Sequence, residues 1–247
     1  ASATPTSASV GRTFLSRVGR RGTRPVFRRI LARSTTIDAI AIASVVPPLN
    51  YTLKTMAETY FHLTPLFVDH STATGLKILY EPASDVGADR IVDAVAAIEK
   101  YGAPCIVVDF GTATTFNAID SEGRYVGGAI TPGIMISSDA LFERTAKLPR
   151  VDIRRPQKVI GSSTVAAMQS GLYHGFVGLV DGVLRTMRQE LGGSPRVIAT
   201  GGLASLIATG SEFIELVDET LTLEGLRLIY ERTRNPKSKA QSFERKP

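Results

Sequence analysis

The residues best suited to chemistry lie in one short stretch of the chain, 105–115. An apolar run of β-forming residues leads there into Asp109, and Gly111 and three threonines follow it. This pattern is typical of a buried strand that ends in a tight polar turn. Glycine lets a ligand approach the backbone, threonine hydroxyls can donate to phosphate oxygens, and a carboxylate can hold a cation. The stretch is therefore a candidate phosphate site, and a hairpin turn in which Asp109 only caps local N–H groups is the other interpretation.

The residues after this turn favour a pair of antiparallel strands. Residues 116–120 alternate between apolar and polar, 121–123 have the composition of a turn, and 124–130 resume the strand pattern. The polar turn is therefore predicted to open a β-hairpin.

Five motifs resemble those of the type III pantothenate kinases, which belong to the actin-like and sugar-kinase superfamily. They occur in the family's order and approximate spacing, within roughly residues 37–232: Gly87-Ala88-Asp89-Arg90, Asp109-Phe110-Gly111-Thr112-Ala113-Thr114-Thr115, Gly127-Gly128-Ala129-Ile130-Thr131-Pro132-Gly133, Ile160-Gly161-Ser162-Ser163-Thr164 and Thr200-Gly201-Gly202-Leu203. The resemblance implies a two-lobed α/β fold, actin-like and ribonuclease H-like, with mixed sheets flanked by helices. In that superfamily an Asp-x-Gly-Thr turn embraces the nucleotide phosphates, and a paired glycine lies against the adenosine.

The resemblance also implies a reaction and a set of residue roles. The reaction is ATP-dependent phosphorylation of pantothenate to 4'-phosphopantothenate, the first step toward coenzyme A, by a cytoplasmic enzyme. The enzyme would use Mg²⁺ with ATP, together with a monovalent cation, K⁺ or NH₄⁺, and would be a homodimer with its active site at the subunit interface. The roles carried over are Asp89 as general base, Tyr80 with Gly87, Ala88, Asp89 and Arg90 as pantothenate contacts, Thr164 as a pantothenate contact from the partner subunit, Thr112 as an ATP contact, and Asp109 as ligand of the monovalent cation.

Asp89 is also interpretable from the residues alone. Ile91, Val95 and Ile98 fall on one face of a helix that opens at Gly87, which predicts that Asp89 and Asp93 lie on the opposite, polar face. An aspartate in the first turn of a helix is favoured by the backbone dipole without any ligand, so a purely structural role is the alternative.

Four glycines recur at helical spacing in the long helix predicted after Thr164: Gly171, Gly175, Gly178 and Gly182. Each glycine lowers helix stability by about 1 kcal/mol relative to alanine, so a row of them indicates close approach by another backbone. That backbone could belong to the same chain or, as the resemblance implies, to a partner subunit. His174 in the same helix is assigned no role.

Charge and composition exclude several classes of protein. The net charge is +6, but residues 1–36 hold eight arginines and no acid, and residues 37–233 hold 16 basic against 22 acidic side chains. The high basicity therefore does not indicate a nucleic-acid surface. No apolar run approaches the ~18 residues of a membrane span. The single cysteine, Cys105, excludes an internal disulfide and is expected to be a buried inert thiol. Neither a P-loop nor a Rossmann fingerprint is present.

Residues 1–36 do not match the family, which begins with a strand ending in an Asp-x-Gly-Asn-Thr turn. Their composition is typical of an organellar transit peptide or a basic disordered arm, and replacement of genuine sequence by a frameshift or misplaced start is a third interpretation. We therefore expect an incomplete N-terminal lobe and a chain that, as written, is a poor or inactive kinase. A binding or regulatory protein of the same fold is the rival function. The predicted organisation is 1–36 atypical, 37–104 the rest of the N-terminal lobe, 105–233 the C-terminal lobe and 234–247 a basic tail.

The predicted elements outside the hairpin alternate between strands and helices, which favours a parallel sheet with helices on its faces. They are a strand within 38–46, a helix at 49–60, a strand at 66–68, an extended segment at 75–80, a helix from Gly87, a helix capped by Ser137 and Ser138 through 146, a helix capped by Thr164 to 191, a strand at 196–200, a short helix at 204–208 and a last helix at 222–232.

Overall fold

The computed structural model describes residues 37–234 and the backbone of Leu15–Ser16. Its strands are β1 (Leu15–Ser16), β2 (Ala41–Ala43), β3 (Leu66–Val68), β4 (Lys77–Ile78), β5 (Cys105–Phe110), β6 (Ala113–Ile119), β7 (Arg124–Pro132), β8 (Arg196–Thr200) and β9 (Leu216–Val217). Its helices are α1 (Pro47–Phe61), α2 (Ala88–Tyr101), α3 (Ile134–Arg144), α4 (Thr164–Leu191), α5 (Ala204–Ala208) and α6 (Leu221–Arg234).

The described strands form two sheets. The smaller has the order β1-β2-β3 with parallel pairing throughout, and the larger has the order β4-β7-β6-β5-β8-β9. Within the larger sheet, β5, β6 and β7 form the predicted antiparallel hairpins, whereas β8 runs parallel to β5 and β4 runs parallel to β7. The mixed α/β architecture expected from the sequence is confirmed.

Alternation along β5 divides the core into two layers. Cys105 and Val107 pack with α2 and α6 on one face of the large sheet, whereas Ile106, Val108 and Phe110 pack with α4 on the other. All of these side chains are buried, as the unbroken apolar run indicated. The carboxyl end of β5, where Asp109 lies, is therefore fixed from both faces.

The first of these layers also reaches the small sheet. It contains Ala41 of β2 and Val68 of β3 together with Ile91 of α2 and Leu226 of α6. Helix α2 is consequently enclosed by neighbours on nearly every side, with its residues 90–97 all buried.

Several predicted boundaries differ from the structure. The strand within 38–46 is limited to β2, and α1 begins at Pro47, because proline is well suited to the first helical turn, which does not use its missing N–H. Helix α3 begins at Ile134, so the predicted cap at Ser137 and Ser138 is wrong. Burial of Ile134 favours the earlier start, and the Ser137 hydroxyl donates instead to the carbonyl of Gly133, 3.2 Å away.

Two further corrections concern polar side chains. Ser163, not Thr164, caps α4, because its hydroxyl accepts a hydrogen bond from the backbone N–H of Ala166 at 3.2 Å. Asp93 does not lie on an exposed face of α2. It is 1% exposed, and the Thr222 hydroxyl of α6 donates to its carboxylate at 2.7 Å. The packing of α6 over α2 covers the face that periodicity alone left open.

The predicted lobe boundary between 104 and 105 remains a proposal. Strand β4 precedes it in the chain yet pairs with β7 of the large sheet. Residues 235–247 and, apart from the backbone of β1, residues 1–36 lie outside the described residues, and the predictions made for those two segments fall there. Among the helices of the described part, none is both long enough and apolar enough to cross a bilayer.

Candidate active site

A cavity of about 210 Å³ lies where the two sheets meet. The end of β2, helix α1, the first turn of α2, the end of β5 and the turn after β8 all contribute to its wall. Its polar lining consists of Ser44, Asp89, Asp109, Thr200, Glu219 and Thr222, with Gly201 and Gly202 beside them. Two carboxylates that the sequence placed in different motifs, Asp89 and Asp109, are therefore brought to one cavity.

Asp109 is held at the end of β5 by the turn that follows β8. Asp109 is 7% exposed, and Gly201 lies directly against its carboxylate. A Cβ at Gly201 would be 2.6 Å from the carboxylate oxygen Oδ1 and 2.6 Å from the carbonyl oxygen of Phe110. Gly201 also has a φ of 95°, which side-chain-bearing residues rarely adopt. Glycine is therefore required at position 201, both because of its backbone conformation and because a side chain there would clash with its neighbours.

Thr112 occupies the turn between β5 and β6 and is exposed. Its carbonyl accepts the backbone N–H of Gly133 at 3.1 Å, and a Cβ on Gly133 would come within 2.2 Å of that same oxygen. The glycine at the end of the Gly127–Gly133 motif therefore lets the chain after β7 close over the polar turn. Thr112 does not line the cavity that Asp89 and Asp109 share.

Asp89 stands in the first turn of α2 and is half-buried. Its Oδ1 accepts the backbone N–H of Arg90 at 2.8 Å, an interaction that a carboxylate at a helix N-terminus favours. Gly87 precedes the helix, where a Cβ would lie 2.7 Å from the same oxygen. Glycine at this position leaves the carboxylate room, and the adjacent Ala88 is buried.

Arg90 is 6% exposed and enclosed by aromatic rings. Its guanidinium carbon lies 5.9 Å from the ring centre of Tyr80 and 5.6 Å from that of Tyr125. Its Nε donates to Oδ1 of Asn117 at 2.7 Å. Tyr80 and Arg90, which the sequence placed in one set of substrate contacts, are therefore adjacent in space.

Of the predicted site residues, Asp89 and Asp109 line the cavity, whereas Tyr80, Gly87, Ala88, Arg90, Thr112 and Thr164 do not. Thr164 is exposed at the start of α4, away from the cavity of its own chain. This placement agrees with the expectation that it acts on the site of a partner subunit, which stays a prediction.

Sequence reasoning missed Asn117, Tyr125 and Thr222. Asn117 carried a weak signal, since it is the one amide in an otherwise apolar strand segment. Thr222 carried none, because its contact with Asp93 joins residues 129 positions apart. Tyr125 is fully buried, and burial raises its pKa to about 12, so its hydroxyl stays protonated near neutral pH. The predicted inert thiol agrees with the structure, since burial raises the pKa of Cys105 to about 12.

This arrangement can do the chemistry of phosphoryl transfer to an alcohol. A carboxylate placed to accept a proton, a second carboxylate at a turn rich in backbone N–H groups, and a buried cation for an anionic acceptor are the groups that such a reaction needs. In fold the chain is similar to a solved protein from Campylobacter jejuni, described as a member of the Baf family of transcriptional activators, with a TM-score of 0.55 and 20% identity, over 85% of this chain and 89% of that one. The fold is of mixed α/β architecture, and the groups around the cavity are of the kinds that a phosphotransferase uses.

Comparison with protein families makes the assignment specific. Residues 16–186 match the model of the type III pantothenate kinases, and the chain belongs to that family. The match begins before residue 37, so the expectation that the resemblance starts only there is wrong. It is 54% identical to a type III pantothenate kinase of Koribacter versatilis over 85% of this chain and 78% of that protein. It is 58% identical to one of Anaeromyxobacter sp. over 80% of this chain and 78% of that protein. The predicted kinase family, with pantothenate and ATP as its substrates, a divalent metal ion and a place at the first step of coenzyme A biosynthesis, is confirmed.

Proposed function

We propose that this chain phosphorylates the primary hydroxyl of pantothenate in the cavity between the two sheets, with Asp89 as the general base. The observation that carries the proposal is that Asp89 and Asp109 line one cavity although they come from different elements. Asp89 uses Oδ1 to hold the first turn of α2, which leaves Oδ2 for a substrate hydroxyl. Phosphoryl transfer needs a positioned carboxylate more than a strong base, and a half-buried aspartate on a rigid helix meets that need.

The phosphates of ATP would lie over the turn that contains Thr112, with the adenosine against Gly201 and Gly202. Mg²⁺ would enter with the nucleotide. A largely buried carboxylate beside phosphate oxygens adds repulsion unless a cation separates them, so Asp109 would ligate a monovalent cation, K⁺ or NH₄⁺. The space above Asp109 that Gly201 keeps clear supports this arrangement.

Pantothenate is an anion, and Arg90 is the cationic side chain among its assigned contacts. Burial between two aromatic rings restricts Arg90 to one position, which favours binding of a carboxylate at a fixed place. Tyr80, whose ring stacks on that guanidinium, would also pack along the substrate. The backbone of Gly87 and Ala88 would contact the substrate at the start of α2.

A homodimer in the cytoplasm is the proposed form of the enzyme. Gly171, Gly175, Gly178 and Gly182 are all exposed on α4, and a Cβ built at any of them would meet no atom of the described chain within 4 Å. Packing within the described residues therefore does not account for the row. Approach of the partner's helix would account for it, and would bring the partner's α4 N-terminus toward this cavity.

The dimer is tested by a size series at Gly175. Alanine should raise helix stability yet weaken the dimer slightly, whereas Gly175→Leu should dissociate it in sedimentation experiments. A dimer of unchanged dissociation constant in the leucine variant would contradict this use of the glycine row.

The catalytic proposal is tested with Asp89→Asn, measured as ADP formation that depends on pantothenate. Asparagine can still accept the Arg90 N–H but cannot accept a proton, so turnover should fall ~10²–10⁴-fold while pantothenate still binds. Asp120→Asn is the matched control, because Asp120 lies in the β6–β7 turn, at the end of the sheet opposite Asp109. Turnover of the Asp89 variant within twofold of wild type would contradict the assignment, and pantothenate binding by the wild type without any turnover would favour the rival binding protein.

A further inference from the structure

Asn117 is a completely buried amide that the proposed chemistry does not use. It lies in the middle of β6, opposite Val107 of β5 and Gly128 of β7. A buried amide in the centre of a sheet is stable only when its polar atoms are paired. The partners of Asn117 are side chains at or beside the candidate pantothenate contacts.

The hydrogen bonds of Asn117 have a fixed direction. Its Oδ1 accepts from Nε of Arg90 at 2.7 Å and from the Tyr125 hydroxyl at 3.1 Å, and its Nδ2 donates to Oγ1 of Thr115 at 3.2 Å. A guanidinium carries only donors, so the amide must turn its oxygen toward Arg90. The protonated Tyr125 hydroxyl donates to the same oxygen and holds that orientation.

Asn117 meets the guanidinium of Arg90 through Nε, and the two terminal nitrogens take no part in that bond. One of them, Nη2, lies over Gly128, where a Cβ would come within 3.2 Å of it. At Gly127 a Cβ would touch the ring of Tyr80 at 3.7 Å. The same Cβ at Gly128 would lie 1.7 Å from the Phe116 carbonyl oxygen, so the neighbouring strand requires glycine there, and Nη2 of Arg90 lies beside it.

We propose that Asn117 is a positioning residue for substrate recognition, which rests on the proposed function. It fixes Arg90 through Nε with a neutral acceptor and so leaves the full charge of the guanidinium for the pantothenate carboxylate. An aspartate at this place would also hold Arg90, but it would neutralise the guanidinium and repel the incoming carboxylate. The neutral amide of Asn117 thus favours an anionic substrate over an uncharged one.

The decisive variant is Asn117→Asp, which preserves shape and adds one negative charge. Its dissociation constant and KM are measured for pantothenate and for the uncharged analogue in which a hydroxymethyl group replaces the carboxylate. Because hydrogen bonds to charged groups are the strong ones, we expect pantothenate binding to weaken about 10-fold or more. Binding of the uncharged analogue and kcat at saturation should stay within threefold of wild type, which a merely structural defect would not produce.

A pair of tyrosine variants keeps the test valid if the aspartate variant fails to fold. Tyr125→Phe removes the second donor to Oδ1 and should weaken pantothenate binding about 2- to 10-fold. Tyr101→Phe removes a comparable hydrogen bond, from its hydroxyl to Asp218 at 2.8 Å, outside the cavity, and should leave binding unchanged.

The outcomes separate the inference from the function on which it rests. Equal weakening for both ligands, or unchanged pantothenate binding in the Asn117 and Tyr125 variants, would overturn the positioning role while leaving the proposed function intact. Failure of the wild-type chain to bind pantothenate at all would overturn the proposed function and the inference with it.

Discussion

Replacing Gly201 by alanine should destabilise the protein far more than the same change at its neighbour Gly202. The backbone at Gly201 has a φ of 95°, and a Cβ there would lie 2.6 Å from both the Asp109 carboxylate and the Phe110 carbonyl oxygen. Gly202 carries neither constraint, because nothing lies within 4 Å of a Cβ at that position. The two substitutions are chemically identical and adjacent, so each controls for the other.

The magnitude follows from two costs at Gly201. The left-handed backbone costs an alanine about 1–2 kcal/mol, and forcing a methyl group against a fixed strand costs about 1–3 kcal/mol more. Phe110 cannot yield easily, since β5 is hydrogen-bonded on both sides. The free energy of unfolding of Gly201→Ala should therefore fall by about 2–5 kcal/mol, equivalent to a decrease in Tm of roughly 5–15 °C for a domain of this size.

The assay is denaturant or thermal unfolding of both variants without nucleotide, so that effects on ATP binding do not enter. Gly202→Ala should stay within about 0.5 kcal/mol of wild type, as surface substitutions usually do. A Gly201→Ala protein no less stable than Gly202→Ala would refute the reasoning, and would mean that the turn after β8 relaxes away from Asp109.

Three further outcomes are expected. Asp109→Ala should abolish the stimulation of turnover by K⁺, and equal stimulation in variant and wild type would contradict the cation role. At Asp218 burial opposes ionisation, but hydrogen bonds from Lys100 and other neighbours outweigh it and lower the pKa, so its contribution is present at neutral pH and is lost as the pH falls through that lowered pKa. The stability difference between wild type and Asp218→Asn should accordingly shrink on acidification, which unfolding at a series of pH values measures. Replacing residues 1–36, which hold no aspartate, by a strand ending in Asp-x-Gly-Asn-Thr should raise pantothenate-dependent ATPase activity on the order of 10³-fold, and equal activity would contradict the expected role of a second phosphate turn.

Local sequence signals predicted the elements around the cavity well. Strand β3, helix α5 and the β5–β6–β7 meander follow from apolar runs and from turns at Gly111 and Gly123, all of which are decided by neighbouring residues. The Asp109 turn and the Asp89 helix start were predictable for the same reason. The resemblance then supplied their roles, which periodicity alone could not.

Contacts between distant parts of the chain account for what the sequence did not predict. Asp93 is buried because α6 covers it, and Asn117 meets Arg90 across 27 positions. Helix α3 begins early because Ile134 joins a core layer that only the folded sheet creates. In each case tertiary packing determines which residue makes the contact, and the neighbouring sequence does not encode that residue.

The core layer that joins both sheets through α2 bears on cooperativity. Since Ala41 and Val68 pack with Ile91 and Leu226, the small sheet cannot detach without exposing apolar surface of the large one. Residues 37–104 and 105–233 should therefore unfold together, in one calorimetric transition, even if they move as two lobes about the cavity. Cutting the chain after residue 104 would divide this core layer between two fragments. Neither fragment is expected to fold alone.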